Sequence, residues 1–137
     1  MYTSEKLKQI AHGFITGAER CKEFRTKPDG TIESALIAGV VCQVFSIELL
    51  FKATLLKELG EPVHGHELKK LYDRLSEESK QNLQRTLSLE KDLLEQKIDD
   101  VSKAFVKWRY IFESKTRGSL DIRFLDSLTS AAQELPV

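Results

Sequence analysis

The chain has 137 residues, a length that makes one domain, so residues 1–137 are read as a single domain able to bury a core without a disulfide or metal staple. Its 31% charged residues, with only seven Gly and three Pro, exclude a disordered chain and a turn-rich all-β fold. Twenty-one basic residues balance 21 acidic ones, which excludes a strongly basic nucleic-acid coat but leaves a local basic patch open, because phosphate answers to a patch rather than to a sum.

From the N-terminus, Met1–Lys6 has no apolar core behind it and does not read as a signal peptide. Leu7, Ile10, Ala11, Phe14, Ala18, Cys21 and Phe24 recur at steps of three and four and predict a first amphipathic helix ending near Thr26, before the turn signal Pro28-Asp29-Gly30. The second helix, from about Ile32 to Leu59, is apolar around nearly its whole circumference, which predicts a central helix surrounded by others. Gln43, Ser46 and Glu48 interrupt its apolar stretch from Ala35 to Phe51, which then falls short of the ~20 apolar residues of a spanning helix. Gly60-Glu61-Pro62 stops it.

A short third helix follows His66, with Leu68, Leu71, Tyr72 and Leu75 on one side. Ser76 reads as an N-cap with Glu77 and Glu78 at the positive end of the next helix, and a break is expected near Ser88. Leu94, Ile98, Val101, Phe105, Trp108 and Phe112 give the clearest period, a long bundle helix. Gly118 ends the connection, Ser119 can cap, and Phe124, Leu125, Leu128, Ala132 and Leu135 make a last helix. No strand is expected. The fold class is all-α, an up-and-down bundle of four to five helices with a short extra one. Cys21 and Cys42 are not in a Cys-x-x-Cys and read as two buried free thiols in a cytoplasmic protein, with a disulfide between them as the alternative.

Three groups of residues carry the chemistry. Glu48 and Lys52 stand four apart on the most apolar helix, in the favourable order for an ion pair; they form either a pair at the bundle rim or the wall of a polar cleft. His64-Gly65-His66-Glu67 is the only histidine cluster, and loop plus helix start, with Glu67 assisting, is the plainer reading than a metal site. The segment around Lys107, Arg109, Tyr110 and Glu113 closes the long helix, and residues 103–123 carry six basic against two acidic groups. Cations that complement a helix C-terminus explain that surplus as well as a phosphate-binding patch does. Arg109 follows Trp108 by ~100° and so sits at the edge of the core stripe, within reach of Glu48, with Glu113 one turn on. No Gly-rich phosphate loop, Gly-x-Ser-x-Gly or His-Glu-x-x-His is present.

Taken in order, Ser46–Ala53, His64–Leu68 and Ala104–Glu113 resemble the HEPN superfamily across about Ser34 to Glu113. The resemblance implies a helical bundle that pairs as a homodimer, with a polar cleft at the interface and no cofactor or metal. It also implies RNA or nucleotide as ligand, and toxin–antitoxin or phage-defence systems as the setting. There the partner is a cognate nucleotidyltransferase or antitoxin, with no membrane involved. Glu48, Lys52, His66, Lys107, Arg109, Tyr110 and Glu113 are the binding residues so implied, with Arg109 the candidate catalytic one. Many members are metal-independent ribonucleases marked by an arginine followed, after four to six residues, by a histidine. None of this chain's arginines has a histidine at that distance, and Ser114, Lys115 and Thr116 stand where it would fall after Arg109. Metal-free RNA cleavage needs a group that moves protons near neutral pH and a cation on the phosphorane. The leading expectation is therefore phosphate binding in a dimer cleft, with an active ribonuclease of divergent motif as the alternative and a non-catalytic dimerisation module as the third.

Overall fold

The computed structural model describes residues 2–33, 35–109 and 120–136, with the side chains of Glu33, Trp108 and Arg109 outside the description. The described residues form six helices: α1 (Ser4–Cys21), α2 (Leu36–Leu59), α3 (Leu68–Arg74), α4 (Glu77–Leu87), α5 (Lys91–Arg109) and α6 (Ile122–Gln133). The fold is all-α. A two-residue antiparallel ribbon, β1 (Arg25–Thr26) with β2 (Ile32–Glu33), joins α1 to α2.

That ribbon corrects the expectation of no strand, and it shortens α1 by a turn at its C-terminus. The Lys27 N–H donates to Thr31 O at 2.7 Å, and the Gly30 N–H to Lys27 O at 2.9 Å. Asp29 accepts from both the amide and the hydroxyl of Thr31, which holds its carboxyl below the usual range. Gly30 takes φ +87°, the left-handed region that glycine enters without steric cost. Pro28-Asp29-Gly30 is thus a hairpin turn, not merely a helix stop. Phe24 and Ile32, read as helical, stand just before β1 and within β2, and are 71% and 66% exposed.

Most helix ends follow local chemistry. Thr3 and Ser76 cap α1 and α4 by accepting from Lys6 N and Ser79 N. Gly60 ends α2 at φ +75°, and Ser88 ends α4 at φ +54°. The N-cap of α6 is Asp121, which accepts from Phe124 N at 3.0 Å; Ser119, expected in that role, lies outside the described residues.

α2 is the central helix. Val40, Ile47, Leu50, Phe51 and Leu55 are fully buried against α1, α3 and α6. Its first turns differ: Leu36, Ile37 and Val41 are exposed. By length and composition α2 is apolar enough to cross a membrane, which corrects the sequence expectation, yet most of that stretch is buried in the bundle. Cys21 and Cys42 are free and half-buried, and burial, with Cys21 adding to it, pushes the Cys42 thiol up.

Candidate functional site

A carboxylate, an ammonium and an imidazole meet where α2 passes the start of α3. One helical turn carries Glu48 and Lys52 to the same face, and Lys52 Nζ donates to Glu48 Oε2 at 3.1 Å. From the loop before α3, His66 Nδ1 stands 3.3 Å from each oxygen of Glu48. Gly65, at φ +113°, gives the loop the bend that brings His66 back over α2. Glu67 occupies the N-cap position of α3 without making a side-chain cap bond; it pairs instead with Lys70 at 3.3 Å.

Burial grades the three groups. The Glu48 side chain is 7% exposed, Lys52 15% and His66 77%. A carboxylate accepts and cannot donate, so Nδ1 of His66 carries the proton in this contact. That leaves Nε2 free of protein partners among the described residues, on a ring that is mostly in solvent. The chemistry available is proton transfer at Nε2, with a buried carboxylate fixing the tautomer and steadying an imidazolium if one forms. Glu48 is therefore not a rim residue: it is a buried carboxylate held between the Lys52 ammonium and the His66 imidazole.

Beside this trio lies a cleft of about 240 Å³ lined by Val63, His64, Gly65, His66, Glu67, Lys70, Leu71 and Arg74. Lys70 and Arg74 are one turn apart on α3 and give the cleft a cationic wall, partly offset by Glu67. Both were missed from the sequence, although their four-residue spacing was visible. Among the described residues, no three His, Cys, Asp or Glu side chains gather as a metal-binding set.

The far part of the expected site is only partly described. α3 and α5 run antiparallel: the Lys69 N–H donates to Ser102 Oγ at 3.4 Å, while Glu95, two turns back, acts electrostatically on Tyr72. The backbone of α5 therefore rises toward the end of the bundle where α3 begins, and is described as far as Arg109. Lys107 is exposed on its last turn. The Arg109 side chain, Tyr110 and Glu113 lie outside the described residues, as do Lys115 and Arg117 of the 103–123 basic segment. Of that segment's charges, Lys103 is paired with Asp99 at 2.8 Å and Asp121 with Lys97 at 3.6 Å. The structure thus brings Glu48, Lys52 and His66 into one cluster and adds Lys70 and Arg74 at its edge. No known protein family, curated protein or solved structure matches the chain.

Proposed function

We propose that the chain is a HEPN-like domain that binds the phosphate of a nucleotide or RNA, working as a cytoplasmic homodimer in a toxin–antitoxin or phage-defence setting. The setting and the dimer rest on the sequence resemblance. One observation supports the binding reading: an exposed imidazole, anchored from behind by buried Glu48, opens on a cleft walled by Lys70 and Arg74. Arginine and lysine at the rim supply charge to a phosphate, and the anchored imidazole supplies a directional donor. Arg109, carried over from the sequence resemblance, adds a further cation to the proposed site.

Fluorescence anisotropy with a labelled single-stranded RNA and with a labelled adenine nucleotide tests this reading. The expected result is binding that weakens as salt rises, loses about tenfold with Lys70→Ala/Arg74→Ala, and weakens again with Arg109→Ala. No binding of either probe at low salt overturns it. A second reading, metal-independent RNA cleavage, is favoured by the His66–Glu48 contact, which is the arrangement a general base needs. Cleavage that persists in chelator and disappears with His66→Gln supports it; intact RNA after long incubation removes it.

A further inference from the structure

Among the described residues, His66 alone of the three histidines has a ring nitrogen against a buried carboxylate. Both oxygens of Glu48 stand 3.3 Å from Nδ1 and can only accept, so the neutral ring keeps its proton on Nδ1 and its lone pair on Nε2. Nε2 lies across the ring, on a side chain that is 77% exposed. A lone pair fixed on the outward nitrogen of a neutral imidazole is a nucleophile near neutral pH. His64 and His12 are exposed as well, but neither has such an anchor among the described residues, so their neutral rings divide the lone pair between two nitrogens.

The surroundings select the electrophile. His66 lines its cleft together with Lys70 and Arg74. Lys70 shares its charge with Glu67, whereas Arg74 has no ion-pair partner among the described residues. We propose that His66 Nε2 is a phosphoryl acceptor, taking the group covalently from a small donor of high transfer potential, an acyl phosphate or a phosphoramidate. The Nε2 lone pair forms the N–P bond while the P–O bond to the acyl group breaks, its electron pair leaving with the carboxylate. From a phosphoramidate already protonated on nitrogen, the P–N bond breaks and ammonia departs. Nδ1 keeps its proton throughout, and the positive charge gained by the ring falls against Glu48, which acts as a positioning residue. Lys70 and Arg74 meet the phosphoryl oxygens. For that cationic wall, and for nothing else, the step rests on the phosphate-binding reading.

Incubation of the protein with potassium phosphoramidate, and separately with acetyl phosphate, followed by intact-mass and fragment mass spectrometry, tests the proposal. The expected result is one phosphoryl group at His66, lost in acid and kept in alkali, gained at least tenfold faster than at His64 or His12 of the same chain. Phosphorus NMR should show the Nε2 isomer alone. Lys70→Ala/Arg74→Ala should slow the step severalfold. Glu48→Gln still accepts from Nδ1 but carries no charge, so it should slow the step severalfold and keep the Nε2 isomer. His66→Gln, at an exposed position, keeps the fold and should lose the modification. Equal rates at the three histidines, an Nδ1 isomer in the parent, or a rate that Lys70→Ala/Arg74→Ala leaves unchanged would each overturn the assignment. Binding of RNA or nucleotide without phosphorylation overturns it alone, whereas phosphorylation without binding of either anisotropy probe upholds it and removes the nucleotide and RNA reading.

Discussion

Glu48 sits inside an apolar helix with the Lys52 ammonium and the His66 imidazole against its carboxylate, and the unequal burial of those two partners separates structure from function. Removing the carboxylate strands Lys52, itself mostly buried, so Glu48→Ala should cost about 3–5 kcal/mol in urea unfolding. His66→Gln removes a partner that stands mostly in water and should cost under about 1 kcal/mol, while carrying the larger loss in any RNA assay. Tyr72 presents the opposite case. Its ring is fully buried against Phe51, its hydroxyl has no hydrogen-bond partner among the described residues, and burial, followed by the charges of Glu95, Asp73 and Glu77, pushes its pKa up to about 12. A raised value means the folded state favours the neutral phenol. Its contribution is whole below the ordinary value of about 10 and is lost as pH climbs from there through about 12. Tyr72→Phe should leave neutral-pH stability unchanged or raise it by up to about 1 kcal/mol, and should flatten the alkaline limb of stability against pH. Three aspartates set the acid limb together with Glu5, whose carboxyl a backbone hydrogen bond lowers. Asp29 is lowered by Thr31, and Asp121 chiefly by the Phe124 N–H. Burial raises Asp126, but hydrogen bonds from Lys22 and Gln43 outweigh it and leave the carboxyl lowered. Lowered carboxyls stabilise above their unfolded values near ~3.9 and lose that effect as pH falls through the folded ones. The urea midpoint should hold from pH 7 to about 5 and fall below about 4, less steeply in Asp121→Asn.

Helix packing shows the same dependence on single atoms. A Cβ at Gly39 would lie 3.0 Å from Cys21 Cβ and 3.2 Å from Ala18 O, so α1 approaches α2 as closely as it does because position 39 has no side chain. Ala is the better helix former by about 1 kcal/mol, yet Gly39→Ala must push two backbones apart, and overpacking of that kind costs about 1–3 kcal/mol. A lowered melting temperature is the expected result; a raised one would show that α1 yields freely. Nothing in the composition of the first helix announces this contact. What the sequence did announce were ends with local causes: Ser76 accepting from Ser79, Gly60 and Ser88 in left-handed backbone, and Glu48 four residues before Lys52. The C-terminus of α1 was misjudged because Pro28-Asp29-Gly30 signals a stop and a hairpin equally, and strands of two residues are too short to show a period. Phe24 fitted the helical spacing by chance. The His66–Glu48 contact spans 18 positions, and Lys22 meets Asp126 across 104; such pairings arise from topology, which no spacing rule along the chain encodes.

At the scale of the molecule, the open first turns of α2 decide how copies would meet. Glu48 and Lys52, around which a dimer contact was expected, pair with each other and are largely buried, whereas Leu36, Ile37 and Val41 of α2, and Phe24 and Ile32 before it, are exposed. If the chain pairs, this face is the one to be covered. Light scattering should then give a dimer mass for the parent and a monomer mass for Ile37→Glu/Val41→Glu with helicity intact. A monomer mass for the parent at micromolar concentration removes the dimer from the proposed function. The ribbon between α1 and α2 has a consequence in time as well as in space. It joins, through some fourteen residues of ribbon and flanking backbone, the two helices that share the most extensive packing in the fold, while α6 must return across the whole chain to reach α2. Loop closure favours the nearer pair, so α1, the ribbon and α2 should assemble in the folding transition state and α6 should dock after the barrier. In stopped-flow kinetics, truncating Ile10 or Val44 should slow refolding, and truncating Leu128 should instead speed unfolding. A chain arranged this way acquires its central helix early and closes α6 against it last.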